Sequence, residues 1–275
     1  MTTEEAVLAL RGDPGQSELV RDAYLGADVV GNAERFLASG EFAAVLALVA
    51  GRVQGGAVLD VGAGTGIASY AFARSGAREV VALEPDPSEV IGQGAIRRLV
   101  GALPIRVEGG WGEALPFADG RFDVVYLRQV LHHARDLDAL VRECARVAAR
   151  GGVVIATREH VVDDDRQLAQ FLAAHPLHRL AGGEHAFALP TYVAAFRKAG
   201  LARARVLGPL DSVVNTYPTI ADEATLRRHP AAVLERYLGV AGGLVARLPG
   251  ATFLVRRAID RPVPGRLYSF VGWKT

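Results

Sequence analysis

Short apolar runs recur along the first half of the chain, at Ala57–Val61, Glu79–Leu83, Ile105–Glu108, Phe122–Leu127 and Gly152–Thr157. They are rich in valine, and β-branched side chains suit the pleated, covered surface of a strand. The stretches between them change period. In Leu137–Ala149 the residues Leu137, Leu140, Val141, Cys144 and Val147 stand at the three-and-four spacing of one helix face. Ile67–Arg74 reads as a helix stopped by Gly76, and Asp86 before Pro87 reads as an N-cap and first turn opening a helix toward Val100. Pro190–Ala199, ended by Gly200, predicts a further helix, Ala202–Leu207 a further strand and Arg266–Trp273 the last strand. Strands alternating with helices predict an α/β fold, a doubly wound parallel sheet covered on both faces.

The first strand runs directly into a Gly-rich turn, Asp60-Val61-Gly62-Ala63-Gly64-Thr65-Gly66. Three glycines on alternate positions let the backbone turn sharply and lie against a ligand with no Cβ between them. The helix that follows aims its first free N–H groups at that ligand. A dinucleotide fingerprint would need glycine where Ile67 stands, which disfavours a nicotinamide cofactor. Glu84, closing the second strand, is placed to accept hydrogen bonds from both hydroxyls of a ribose.

Composition narrows the class further. The 275 residues are half hydrophobic and 22% charged, with no Pro/Ser-rich linker, low-complexity tract or repeat, which predicts one domain over 1–275. The 31 basic and 30 acidic side chains nearly cancel, so no overall field holds a polyanion. A small-molecule partner is expected rather than nucleic acid. Glu4 and Glu5 stand where a signal peptide would carry positive charge, and no apolar run reaches membrane-spanning length. The expectation is a cytoplasmic protein with no membrane partner. Cys144 is the only cysteine, which excludes intramolecular disulfides and cysteine metal clusters; in its helix it reads as a small buried filler rather than a nucleophile.

The turn and its flanking strands, Gly110–Phe117 (Gly-Trp-Gly-Glu-Ala-Leu-Pro-Phe), Asp119–Val125, Leu131-His132-His133 and Arg142–Gly152 together resemble the class I, Rossmann-like S-adenosyl-L-methionine (SAM) methyltransferases. The resemblance covers residues 57–157. It implies a mostly parallel seven-stranded sheet whose seventh strand slots antiparallel between the fifth and sixth. It also implies SAM as cofactor and S-adenosyl-L-homocysteine as product. Carried onto this sequence, the cofactor residues are Asp60, Gly62, Ala63, Gly64, Gly66, Glu84, Pro85, Trp111, Gly112, Glu113 and Arg128. Where Trp111 stands many relatives place an acid that accepts from the adenine amino group. The indole either lies on the adenine face, with Glu113 or backbone groups reading the amino edge, or fills the core. The activity implied is methyl transfer to a small molecule. The alternative is a scaffold that binds SAM yet performs another reaction or serves as a subunit of a complex.

Methyl transfer asks the protein to align the acceptor, exclude water and remove any proton on the attacking atom. Candidates for the last task follow the fourth strand, Arg128, Gln129, His132 and His133, with His133 and His132 the candidate catalytic residues. Helical neighbours point about 100° apart, so at most one of the two faces the methyl group, and the bland reading of both is structural packing. Residues 1–56 are expected to form a helical cap, 57–160 the SAM-binding core, and 161–189 and 208–262 insertions that build a lid and substrate pocket at the carboxyl edge of the sheet. The segment after the fifth strand is polar, carrying Arg158, Glu159, Asp163–Asp165, Glu184 and four histidines. His160, His175, His178 and His185 are the candidate substrate residues, with Tyr24 and Arg35 from the cap. His175 and His178 share a face if that stretch is helical, but they match no recognised metal spacing, so polar pocket lining without metal is expected.

Overall fold

The computed structural model describes the backbone of residues 1–275 and the side chains of all but 202 and 203. Its strands are β1 (Ala57–Val61), β2 (Glu79–Leu83), β3 (Ile105–Glu108), β4 (Phe122–Arg128), β5 (Ala148–Val162), β6 (Phe187–Ala188), β7 (Ala202–Leu207) and β8 (Arg266–Trp273). The sheet order is β3-β2-β1-β4-β5-β8-β7, with β6 a short parallel addition to the end of β5. Strands β1 to β5 pair in parallel, while β8 runs antiparallel between β5 and β7. This is the topology the resemblance implies, with one extra short strand.

Burial on both faces explains the valine-rich strands. Val58, Val80, Ala82, Val124, Tyr126 and Ile155 face one apolar layer, where the helices Val29–Leu37, Gly40–Val49, Ile67–Arg74 and Gln93–Val100 pack. Leu59, Val81, Leu83, Val125, Leu127 and Val154 alternate onto the other, under the helices Leu137–Val147 and Leu189–Lys198. Cys144 is fully buried in this second layer and burial pushes its thiol up, so the filler reading holds. Among the described residues no helix is long and apolar enough to cross a membrane.

The N-terminal cap is tied to the sheet by a ladder of aromatic rings. Tyr24, Phe36, Phe42, Phe72 and Tyr126 follow one another at centroid separations of 5.5, 5.4, 5.3 and 5.1 Å. Beside it, Glu41 and Arg128 form a buried two-bond ion pair, Nε to Oε1 at 2.6 Å and Nη2 to Oε2 at 3.2 Å.

Four expectations are corrected. The helix expected from Asp86 begins only at Gln93. Asp86 Oδ1 accepts from the Ser88 N–H and Ser88 Oγ from the Val90 N–H, and these local bonds compete with helical ones. Strand β5 continues past Thr157 to Val162, through an irregularity at Arg158, which adopts φ +60°. Leu131–His133 is a single 3₁₀ turn rather than the start of a longer helix; only His133 reaches the cleft, with the His132 ring 4.3 Å away behind it. The segment 208–262 leaves and rejoins the sheet at the carboxyl edge as expected, yet its helices cover the cap side: Arg158 Nη1 donates to the carbonyls of Val214 and Tyr217, and Gly40 packs against the Ala221 carbonyl.

Candidate active site

The carboxyl ends of β1, β2 and β4 meet where the strand order reverses, and a cleft of about 630 Å³ opens there. One wall is the Gly-rich turn. Gly62, Gly64 and Gly66 all have positive φ, at 65°, 56° and 81°. Gly62 has a second reason: a Cβ there would lie 2.7 Å from Val130 Cγ2. The N–H groups of Gly62 and Ala63 both donate to the Leu83 carbonyl, which draws the turn onto the end of β2. The Gly64 N–H then donates to Glu84 Oε2 at 2.7 Å, and Glu84 Oε1 accepts from the Asp86 N–H at 2.9 Å. Burial raises the Glu84 carboxyl above its ordinary value, against the pull of these two bonds.

Of the sequence-named cofactor residues, Gly62, Gly64, Glu84, Pro85, Trp111, Gly112 and Glu113 line this cleft. Asp60, Ala63, Gly66 and Arg128 do not. Asp60 lies beneath the turn, only 2% exposed, and accepts from Ser69 Oγ at 2.6 Å. Arg128 points into the cap, held by Glu41 and stacked over Tyr24 and Phe36. Trp111 is 55% exposed, which removes the core-filling reading, and the Arg135 guanidinium lies 4.5 Å from its ring centroid. Glu113 Oε1 is engaged with the Arg135 N–H. Gln129, a sequence-named candidate for proton removal, lines the cleft, as do Thr3, Asp86, Ile91, Val130, Arg135 and Gly183, which were not named as site residues from sequence.

Burial pushes the Asp60 carboxyl up to about 7, although the Ser69 hydroxyl bond opposes it. A carboxyl raised on folding contributes stability that is intact below its unfolded pKa near 4. That contribution is lost as pH rises from there through 7, by about 1.4 kcal/mol for each pH unit crossed. Asp60→Asn should therefore gain a few kcal/mol on wild type between pH 4.5 and 7.5. Urea unfolding at the two pH values checks this, and a gap that does not change with pH would contradict it.

The opposite wall carries His133, whose side chain is 45% exposed. His132 is buried behind it with the two rings 4.3 Å apart, so the turn brings both imidazoles to one place. His132 Nδ1 donates to Glu159 Oε2 at 2.7 Å, and Glu159 also accepts from the N–H groups of Val130 and His132. Glu159 reaches this position because the irregularity at Arg158 breaks strand alternation. Nε2 of His132 and Nε2 of His133 each face Glu184 Oε2 at 3.6 Å. Burial alone would lower His132, but Glu159 and Glu184 outweigh it and hold the ring at about 9. Glu184 falls to about 2, since the facing imidazoles overcome the effect of its burial. His133 is lowered by burial and by the charge of His132.

The expected substrate histidines divide. His160, held by Nδ1–H to the Gly265 carbonyl, and His175, with Nδ1 3.8 Å from Glu184 Oε1, flank the cluster behind the wall. His175 caps the helix Pro176–Ala181 and its Nδ1 accepts from the His178 N–H, so the two do not share a helix face. His185 packs on Phe187, and neither His178 nor His185 lines the cleft. Tyr24 and Arg35 stay in the cap, where Arg35 donates to the Arg21 carbonyl. No residue of 208–262 lines the cleft, whereas Gly183 of the first insertion does, and the helix Thr3–Gly12 packs on Pro176–Ala181 to close it.

The strand order and the Gly-rich cleft define a Rossmann-like methyltransferase fold. Residues 59–156, which carry the Gly-rich turn and run from β1 into β5, match the family described as methyltransferase domain. The chain is 32% identical over 138 residues to the uncharacterized methyltransferase YcgJ of Bacillus subtilis (strain 168), covering 46% of this chain and 49% of that one. The ubiquinone biosynthesis O-methyltransferase of Agrobacterium fabrum is 32% identical over 136 residues, 49% of this chain and 53% of that protein. The tRNA U34 carboxymethyltransferase of Alcanivorax borkumensis is 33% identical over 140 residues, 50% and 42% respectively. The chain thus spans about half the length of the curated relatives it matches. The crystal structure of YcgJ superposes over 86% of this chain and 98% of its own, with 19% identity and a TM-score of 0.54, a likeness of fold.

Proposed function

We propose that the protein transfers the methyl group of SAM to a small-molecule acceptor held between the Gly-rich turn and the wall formed by His133 and Gly183. The observation that carries this reading is the Glu84 carboxylate, brought onto the turn at the cleft floor. Its two backbone bonds use about half of a carboxylate's acceptor sites, which leaves the rest for the ribose hydroxyls. Gly62 and Gly64 supply the close backbone approach, and Trp111 offers a flat face at the cleft rim. Across from them His133 serves as the base: its lowered pKa leaves it largely neutral at pH 7, able to take a proton from the acceptor.

The cleft volume lies in the range of small-molecule sites, roughly 300–1,000 Å³, and its closure by the first helix and the first insertion favours a compact acceptor. Among the relatives, one is named for ubiquinone biosynthesis and another for tRNA. The near-zero net charge of this chain favours the first kind of acceptor. Glu84→Ala should weaken SAM binding by about 1.5–3 kcal/mol, the range for hydrogen bonds to a charged group, while His133→Ala should leave SAM affinity nearly unchanged and lower turnover. Calorimetric titration with SAM reads the first. Unchanged affinity in Glu84→Ala would remove the ribose assignment.

A further inference from the structure

We propose that His132, His133 and Glu184 bind a divalent first-row transition-metal ion, of the zinc type, in the wall of the cleft. The hydrogen bonds fix the chemistry of the donors. His132 uses Nδ1–H toward Glu159 at 2.7 Å and His133 uses Nδ1–H toward the Gly183 carbonyl at 3.3 Å, so in the neutral rings each Nε2 carries a free lone pair. Both lone pairs face one carboxylate oxygen of Glu184, at 3.6 Å, a separation too long for a hydrogen bond. In the ion-free protein the His132 ring carries the positive charge that faces Glu184, and a divalent ion bound among the three donors would take the place of its Nε2 proton.

The distances suit an ion. Two donors about 2.1 Å from zinc at a tetrahedral angle lie about 3.4 Å apart, and the donor atoms of these three residues all fall within 4.8 Å of one another. Glu159 stands behind His132 as the carboxylate that fixes the tautomer and orientation of a metal-bound imidazole. The donor atoms that converge are those of His132, His133 and Glu184, and His175 is not among them. Two imidazoles and one carboxylate suit Zn²⁺, Fe²⁺ or Co²⁺, not Mg²⁺. Three protein ligands leave a position open toward the cleft, where an oxygen donor of the acceptor completes the coordination. In the ion-free protein Nε2 of His133 takes the acceptor's proton, and with the ion bound the lowered pKa of the coordinated oxygen takes over that task. These last two steps alone rest on the methyl-transfer reading.

The test is calorimetry on the full chain after chelator treatment and dialysis, titrated with Zn²⁺, Co²⁺ and Mg²⁺. Wild type should bind one Zn²⁺ or Co²⁺ per chain and no Mg²⁺. Glu184→Gln and His133→Ala should each lose at least tenfold in Zn²⁺ affinity, while His229→Ala, on the distant helix Glu223–Leu238, should not. If Glu184→Gln proves unfolded by circular dichroism, the partly exposed His133 carries the comparison. No saturable Zn²⁺ or Co²⁺ binding by wild type, or undiminished binding in the folded variants, would overturn the site. SAM titrated into the same stripped protein reads the cofactor claim separately, so either claim can fail alone.

Discussion

Replacing Gly64 with valine should abolish SAM binding while the chain still folds. Gly64 sits at φ +56°, and a Cβ there meets nothing within 4 Å, so an added side chain projects into the open cleft rather than into protein. A β-branched residue held at that φ costs about 1–3 kcal/mol, and the unfolding midpoint should drop by roughly 10 °C or less for a domain of this size. The isopropyl group would occupy the space where a nucleoside approaches the backbone. SAM affinity should therefore fall at least a hundredfold by calorimetry. Gly62→Val is the contrast: its Cβ runs into Val130, so loss of fold and loss of binding should arrive together. Wild-type SAM affinity in a folded Gly64→Val variant would show that the ligand does not pass over this turn.

The largest effect on stability is expected at Glu41. This residue is fully buried, pairs with Arg128 through two bonds, and has Arg158 Nη1 at 3.8 Å from Oε2. Glu41→Ala would leave two buried guanidinium groups without their carboxylate. Breaking one partner of a buried pair costs about 3–5 kcal/mol, because the remaining charge stays desolvated. Arg128 also donates to the Gln129 side chain, and Gln129 lines the cleft, so the variant should weaken SAM binding as well as lower the urea midpoint. A midpoint within experimental error of wild type would mean that the pair contributes no net stability.

The parts of the site that could be read from sequence are those whose chemistry is local. The turn from Gly62 to Gly66 was legible because positive φ, the strand before it and the helix after it all leave marks on neighbouring residues. Glu84 was legible because a strand end is a local event. Asp60 and Arg128 belong to the same motifs, but their side chains are claimed by Ser69 and Glu41, and the second of these partners comes from a distant helix of the cap that no spacing announces.

The histidine cluster shows the same limit more sharply. The polarity of the segment from Arg158 to His185 marked it, yet periodicity could not reveal that Arg158 would leave the strand conformation and turn Glu159 toward His132. Nor did it show that His132 and His133 would share a 3₁₀ turn facing Glu184. Only His133 reaches the cleft, within the limit of one ring that the sequence reading set, yet the His132 ring lies 4.3 Å behind it, which spacing alone did not show. The strands themselves were legible because burial on both faces demands continuous apolar runs, whereas β5 was cut short in the reading because its polar extension satisfies its charges through tertiary partners.

The most direct measurement is a calorimetric titration of the wild-type chain with S-adenosyl-L-homocysteine and, separately, with NAD. Binding of the first at one site per chain, weakened by at least tenfold in Glu84→Ala and absent in Gly64→Val, with no heat from NAD, is the predicted result. Saturable binding of NAD with none of S-adenosyl-L-homocysteine would contradict the assignment of the cleft.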